Sequence, residues 1–161
     1  MPQSKPNQNF TASDIMTTRL VTLDAEMDAF EAIELLNKHK ISGAPVIDKE
    51  RRLLGMFTEK SCLEVMVGAA YDGLSATEVG LFMDDPADTI TEDTGFLTMA
   101  HVFLSKRTRR LPVLRQQKLV GQVSRRDLIG ATVKNVRKLP DHSSTLLYLS
   151  ALREMQESPI Q

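Results

Sequence analysis

A chain of 161 residues that is 42% hydrophobic and 25% charged reads as a globular protein, one ordinary domain or two small units sharing a core, and not as a disordered tail. Its formal net charge of −1 excludes a whole-molecule field that recruits nucleic acid or membrane, so any electrostatic function must come from a local patch. A single cysteine, Cys62, excludes an intramolecular disulfide, and no apolar run approaches the roughly 20 residues of a membrane span.

Residues 1–10, MPQSKPNQNF, read as a flexible polar tail without the charged-then-apolar pattern of a secretory signal, so the cytoplasm is the expected compartment. A short strand over Leu20–Leu23 precedes a helix whose Ala29, Ala32, Ile33 and Leu36 share one face. Two apolar runs, Ala44–Ile47 and Leu53–Phe57, then predict a hairpin, with a second helix after Thr58. The stretch from Val67 to Ser75, taken as a linker over residues 69–75, carries Asp72-Gly73 as a turn pair.

The same order then returns. A strand over Asp88–Ile90 leads to a helix with Phe96, Met99, Ala100, Phe103 and Leu104 on one face. Another hairpin follows over Leu111–Leu114 and Leu119–Val123, and a helix after Ser124. Shifted by 67 residues, Met16 falls on Met83, Thr22 on Thr89, Pro45 on Pro112 and Val46 on Val113. One deletion in the Asp48–Arg52 loop makes the shift 66, and Leu53, Gly55 and Thr58 then meet Leu119, Gly121 and Ser124. The chain is an internal duplication of a β-α-β-β-α unit, over residues 11–68 and 76–135. Each copy is too small for a secure core of its own, so the two are expected to pack together. Residues 136–161 form a C-terminal extension with a helix expected at about 143–157, where Leu146, Leu149, Leu152 and Met155 make an apolar stripe. Such a stripe more often covers a core; a partner or dimer surface is the alternative.

The repeated elements Asp14-Ile15-Met16-Thr17, Gly43-Ala44-Pro45-Val46-Ile47-Asp48 and Gly55-Met56-Phe57-Thr58, with Leu111-Pro112-Val113 and Ser124-Arg125-Arg126-Asp127 in the second copy, resemble the tandem CBS-domain pair, in its stand-alone form. The resemblance implies an α/β (α+β) fold with pseudo-twofold symmetry and no enzymatic activity of its own. It implies a regulatory role, with AMP, ADP, ATP or S-adenosylmethionine as ligand rather than any catalytic cofactor. It also implies a homodimer and a regulated partner, whose identity is not written in the sequence.

The family's T-x-x-D element implies a serine or threonine facing phosphate and an aspartate holding both ribose hydroxyls. The second copy has both, Ser124 and Asp127; the first has Thr58 but Ser61 in place of the acid. The plainer reading of Ser124 and Asp127 is a helix cap with a capping-box partner. No acid lies between Asp93 and Asp127, while Lys106, Arg107, Arg109, Arg110, Arg115, Lys118, Arg125 and Arg126 do. Arg109 and Arg110 stand directly before Leu111-Pro112-Val113, where the resemblance implies phosphate contacts, and guanidinium forks suit phosphate. The plainer reading is a solvated basic strand edge.

One nucleotide cleft dominated by the second copy is expected, built from Ser124, Asp127, Arg109, Arg110, Arg125, Arg126, Leu111 and Pro112, with Ala87 and Thr89 near the base. A weaker second site would use Thr58, Ala44 and Thr22. Catalysis and metal binding find little support. His39, His101 and His142 are scattered, and Cys62 lies among apolar neighbours as a buried thiol would. Nucleic-acid binding through the arginines is disfavoured, since the chain has no tryptophan and only two tyrosines to stack on bases. A ligand-free dimeric adaptor is the runner-up.

Overall fold

The computed structural model describes residues 10–73, 77–86 and 88–136. The tail over residues 1–9, Ala87, His142 and the expected helix at about 143–157 lie outside the described residues. Each copy forms a three-stranded sheet. A parallel pair spans the crossover helix and an antiparallel hairpin completes the sheet, orders β1-β2-β3 and β4-β5-β6. In the first copy these are α1 (Ala12–Ile15), β1 (Leu23–Asp24), α2 (Ala29–His39), β2 (Gly43–Ile47), β3 (Leu53–Thr58) and α3 (Glu59–Asp72). The second repeats the order with α4 (Val79–Phe82), β4 (Ile90–Thr91), α5 (Phe96–Ser105), β5 (Arg110–Arg115), β6 (Lys118–Ser124) and α6 (Arg125–Val136).

The local causes are legible. Asp28 starts α2 because its Oδ1 accepts from the Phe30 and Glu31 amides at 3.0 and 3.1 Å, satisfying two of the free N–H groups of the first turn. Lys40, left-handed at φ 52°, ends it. The face it turns inward, Ala29, Ala32 and Leu36, joins Leu23, Val46, Phe57 and Val65 in one core. The matching core of the second copy gathers Ile90, Met99, Phe103, Leu111, Val113 and Val123. Each large side chain so buried contributes on the order of 1.5–3 kcal/mol.

The copies also complete one another. Ala12 of α1 is buried in the second core, and its amide donates to the Thr94 carbonyl at 2.9 Å. Val79 of α4 is buried in the first core, its amide on the Met27 carbonyl at 2.9 Å. Beyond each short helix the chain crosses to the opposite sheet. Thr17 and Gln122 exchange two backbone hydrogen bonds, at 2.9 and 3.0 Å, and Met56 and Asp84 exchange two at 2.8 Å. These crossings correct the expected first strands. Residues 20–22 form no strand and β1 is only Leu23–Asp24; Asp88 and Thr89 form none and β4 is Ile90–Thr91. The residues before each strand are carried away from their own sheet by the crossing.

Two further expectations change. Val67–Asp72 belong to α3 and are no irregular linker; Gly73, at φ 60°, caps that helix. Phe10, counted with the tail, packs its ring 5.1 Å from that of Phe96. The four-residue helices α1 and α4 were missed because they are too short to show a period.

Candidate functional site

Two cavities lie where the repeats meet, and they share two residues. Gly43 and Arg110, equivalent positions of the two copies, line both. The smaller cavity, about 230 Å³, is lined by Ser124, Asp127 and Gln122 of the second repeat with Thr17, Arg19, Leu20, Val21 and Ile41 of the first. The larger, about 450 Å³, is lined by Ser42, Thr58, Glu59 and Lys60 of the first repeat with Asp85, Asp88, Arg107, Arg109 and Pro112 of the second. Each cavity therefore takes its helix cap from one copy and its pre-strand segment from the other, as the backbone crossing at Thr17 and Asp84 requires.

In the smaller cavity Asp127 Oδ2 accepts from the Ser124 amide at 2.8 Å and from Ser124 Oγ at 2.7 Å, while Ser124 Oγ accepts from the Asp127 amide at 3.1 Å. This is the capping box, and it uses one carboxylate oxygen. Among the described residues, Oδ1 accepts no hydrogen bond. One side chain thus both closes the helix cap and lines the cavity. In the first copy Ser61 is fully buried and its Oγ accepts from the Thr58 amide at 3.1 Å. It completes the same cap and reaches neither cavity.

The expected set of residues is divided. Arg110 opens β5 opposite Ser124 in the strand register, and its Nη2 donates to Ser42 Oγ of the other copy at 3.3 Å. Arg109 and Pro112 line the larger cavity, not the one that holds Asp127. Arg125 is turned elsewhere: its Nη2 donates to the Phe103 and Lys106 carbonyls at 3.1 and 3.4 Å, with the guanidinium 6.0 Å from the Phe103 ring centre. Arg126 and Thr89 are exposed and Thr22 half-buried, and none lines either cavity. Leu111 and Ala44 are fully buried core residues. Thr58 lines the larger cavity.

Several lining residues had no signature in the sequence: Arg19, Leu20, Val21 and Ile41 beside Asp127, and Lys60, Asp85 and Asp88 beside Arg109. Hydrogen bonds to Asp84 and Glu64 hold the exposed Lys60 ammonium above its ordinary range. Gln122 is buried, and its Oε1 has no hydrogen-bond partner among the described residues. The repeat holds the clue to it, since the first copy has apolar Met56 at the equivalent position. Cys62 is half-buried, and burial pushes its thiol up, away from the reactive thiolate. His39 and His101 are exposed.

The CBS-domain family model matches residues 12–68 and 76–134. A solved structure of CBSX2 in complex with AMP is 27% identical, with a TM-score of 0.68, and the match covers 78% of this chain and 97% of that one. CBSX2 from Arabidopsis thaliana, in another structure, is 26% identical with a TM-score of 0.70, over 81% and 99% of the two chains. Hypoxic response protein 1 of Mycobacterium tuberculosis is 26% identical over 83% of this chain and 87% of its own length. The A-adding tRNA nucleotidyltransferase of Geobacter sulfurreducens is 28% identical over 74% of this chain, which spans only 13% of that enzyme. With both copies matched in sequence and the same sheet-and-helix pair in solved relatives, the chain belongs to the CBS-domain family, as a tandem pair.

Proposed function

We propose that this pair is a regulatory, non-catalytic module that binds an adenosine nucleotide in the Asp127 cavity and passes the bound state to a partner protein. The observation that carries the reading is the Asp127 carboxylate. It lines a cavity with one oxygen engaged by the Ser124 cap and the other without a hydrogen bond among the described residues. Two adjacent ribose hydroxyls are donors that suit such an acid. Arg19 and Arg110 line the same cavity and offer guanidinium groups to a phosphate. The AMP complex of CBSX2, at 27% identity, supports adenosine as the nucleoside.

The test is thermal unfolding with adenosine, AMP, ADP, ATP and S-adenosylmethionine, on wild type, Asp127→Ser and Ser61→Ala. Serine at position 127 reproduces the cap that Ser61 forms in the first copy, so the fold is kept while the acid is lost. A ligand at about 100 times its Kd adds about 2.7 kcal/mol to wild type. That gain is expected to vanish in Asp127→Ser and to persist in Ser61→Ala. Stabilisation of wild type by none of the five refutes the reading.

That outcome would favour a second reading, a dimeric adaptor. Its observation is apolar exposure: Leu63, Met66, Val67 and Tyr71 on α3 and Ile129 and Val133 on α6 are all open to solvent. Light scattering of the ligand-free protein reads the dimer directly. Among the described residues no helix is long and apolar enough to cross a membrane. The cytoplasmic placement belongs to the same proposal and is checked by fractionation.

A further inference from the structure

We infer that residues 143–157 fold back along α6 of their own chain and that their apolar stripe covers Ile129, Gly130 and Val133. The described residues end with α6, at Val136, and the covering segment lies beyond them.

The duplication marks the face. At the shift of 66, Leu63 and Val67 on α3 fall on Ile129 and Val133 on α6, and all four are between 45% and 64% exposed. Four positions apart, each pair makes one apolar ridge along its helix. The ridges differ in what flanks them. On α3, Glu64 stands beside the ridge and pairs with the exposed Lys60 at 3.4 Å. On α6 the same two places hold Gly130 and Arg126. Glycine inside a helix is destabilising relative to alanine, and a Cβ on Gly130 would meet nothing within 4 Å. Among the described residues, then, no packing calls for a glycine there. The close approach of another backbone does.

Reach and register identify the occupant. After α3 only residues 73–78 remain before Val79 opens α4, buried in the first core, too few for a covering helix. After α6 come residues 137–161. Pro140 disfavours one continuous helix, and residues 137–142 match the usual connection of roughly 2–8 residues between antiparallel helices. As a helix, residues 143–157 span about 22 Å, against about 18 Å for α6. With Ser143 level with Val136 and the segment antiparallel, Leu146 comes level with Val133, and Leu149 and Ser150 with Gly130 and Ile129. Glu154 then falls within one turn of Arg126, which is exposed and makes no ion pair among the described residues.

Urea unfolding of the full chain tests the cover, on wild type, Val133→Glu, Leu149→Glu and their double variant. Val67→Glu, alone and with Leu149→Glu, is the control from the other copy. Val133→Glu and Leu149→Glu are each expected to lower the folded-to-unfolded ratio about tenfold, by putting a charge into a covered apolar contact. The double variant loses no more than the worse single one, because both break the same contact. Val67→Glu leaves the effect of Leu149→Glu unchanged. Gly130→Gln lowers the midpoint, whereas on an open helix face glutamine would raise it. Independent losses from Val133→Glu and Leu149→Glu overturn the inference, as does no loss from Leu149→Glu or a midpoint raised by Gly130→Gln. Coupling of Leu149 to Val67 instead of Val133 overturns it too. So does coupling to Val133 that vanishes on dilution, which would seat the segment on a second copy. None of these outcomes touches the nucleotide reading, which stands on Asp127.

Discussion

Thr58 and Ser124 end equivalent strands and cap equivalent helices, and in both the cap is closed by the side chain three residues on. In the first copy that side chain is Ser61, fully buried, accepting from the Thr58 amide at 3.1 Å. In the second it is Asp127, partly exposed, accepting from the Ser124 amide at 2.8 Å and lining a cavity. A neutral oxygen is therefore enough for the fold at this place. The carboxylate at 127 exceeds what the helix needs, and the proposed nucleotide site rests on this surplus rather than on the cap itself. The duplication supplies the control: one copy shows what structure alone demands.

The largest test of the equivalence lies in the scaffold, where Gly55 and Gly121 sit beneath the two crossing segments. A Cβ on Gly55 would come 2.7 Å from the Asp84 carbonyl oxygen, which is fixed by its backbone pairing with Met56. A Cβ on Gly121 would come 2.5 Å from Met16 Sδ and 2.9 Å from its Cγ, side-chain atoms that can shift more readily than a paired backbone carbonyl. Gly55→Ala is expected to cost about 1–3 kcal/mol through overpacking, and Gly121→Ala less. The denaturant midpoints read both, and equal losses would show Met16 to be as confined as the Asp84 backbone.

A smaller effect separates cap from acid. Without ligand, Asp127→Ala leaves the Ser124 amide without its side-chain acceptor and costs about 1 kcal/mol, while Asp127→Ser is expected to recover most of it. Ser61→Ala should cost about as much as Asp127→Ala, since each strips the same bond from its copy. If Asp127→Ser is as unstable as Asp127→Ala, the second cap depends on charge and the two copies are not equivalent.

The sequence carried the fold where period and duplication operate together. The faces of α2 and α5, the two hairpins and the one-residue deletion between them were legible because each rests on contacts within one copy. The site was legible in its ingredients and not in its assembly. Asp127 and Arg109 stand 18 positions apart in one repeat, which suggested a single cleft. The crossings at Thr17 and Asp84 send the chain to the opposite copy, so Arg109 lines a cavity with Thr58, and Asp127 lines one with Arg19. Nothing in local pattern encodes that exchange. It follows from the burial of Ala12 in the second core and Val79 in the first, contacts that span the whole duplication. Arg125 misled for a different reason: composition counts its charge but not the carbonyls that hold it.

The smallest effect concerns the hairpin turns, the place where the two copies differ in length. In the first, Asp48 organises the longer loop, accepting from the Glu50 and Arg52 amides, both at 2.8 Å, and from Arg52 Nε at 2.9 Å. The second has no such acid. Arg115 stands in its place, and the turn is made by Gln116 and Gln117 at φ 49° and 67°. The bond from the Arg52 amide, helped by the Arg52 guanidinium and the Glu50 amide, holds the Asp48 carboxyl below its ordinary 3.8 against a smaller opposing effect of burial. A carboxyl lowered in the folded state favours folding fully above the unfolded value, and that contribution fades as pH falls through the folded one. The stability difference between wild type and Asp48→Asn is therefore expected to be constant at neutral pH and to shrink as pH falls below about 4. Glu92 is held low by Arg115 and loses its own contribution in the same acid range, but it is present in both proteins and cancels. Chemical denaturation of the pair from pH 7 to pH 3 reads the difference. A value that does not change with pH would mean that the asparagine amide holds the loop as well as the carboxylate, and that the longer turn owes nothing to charge.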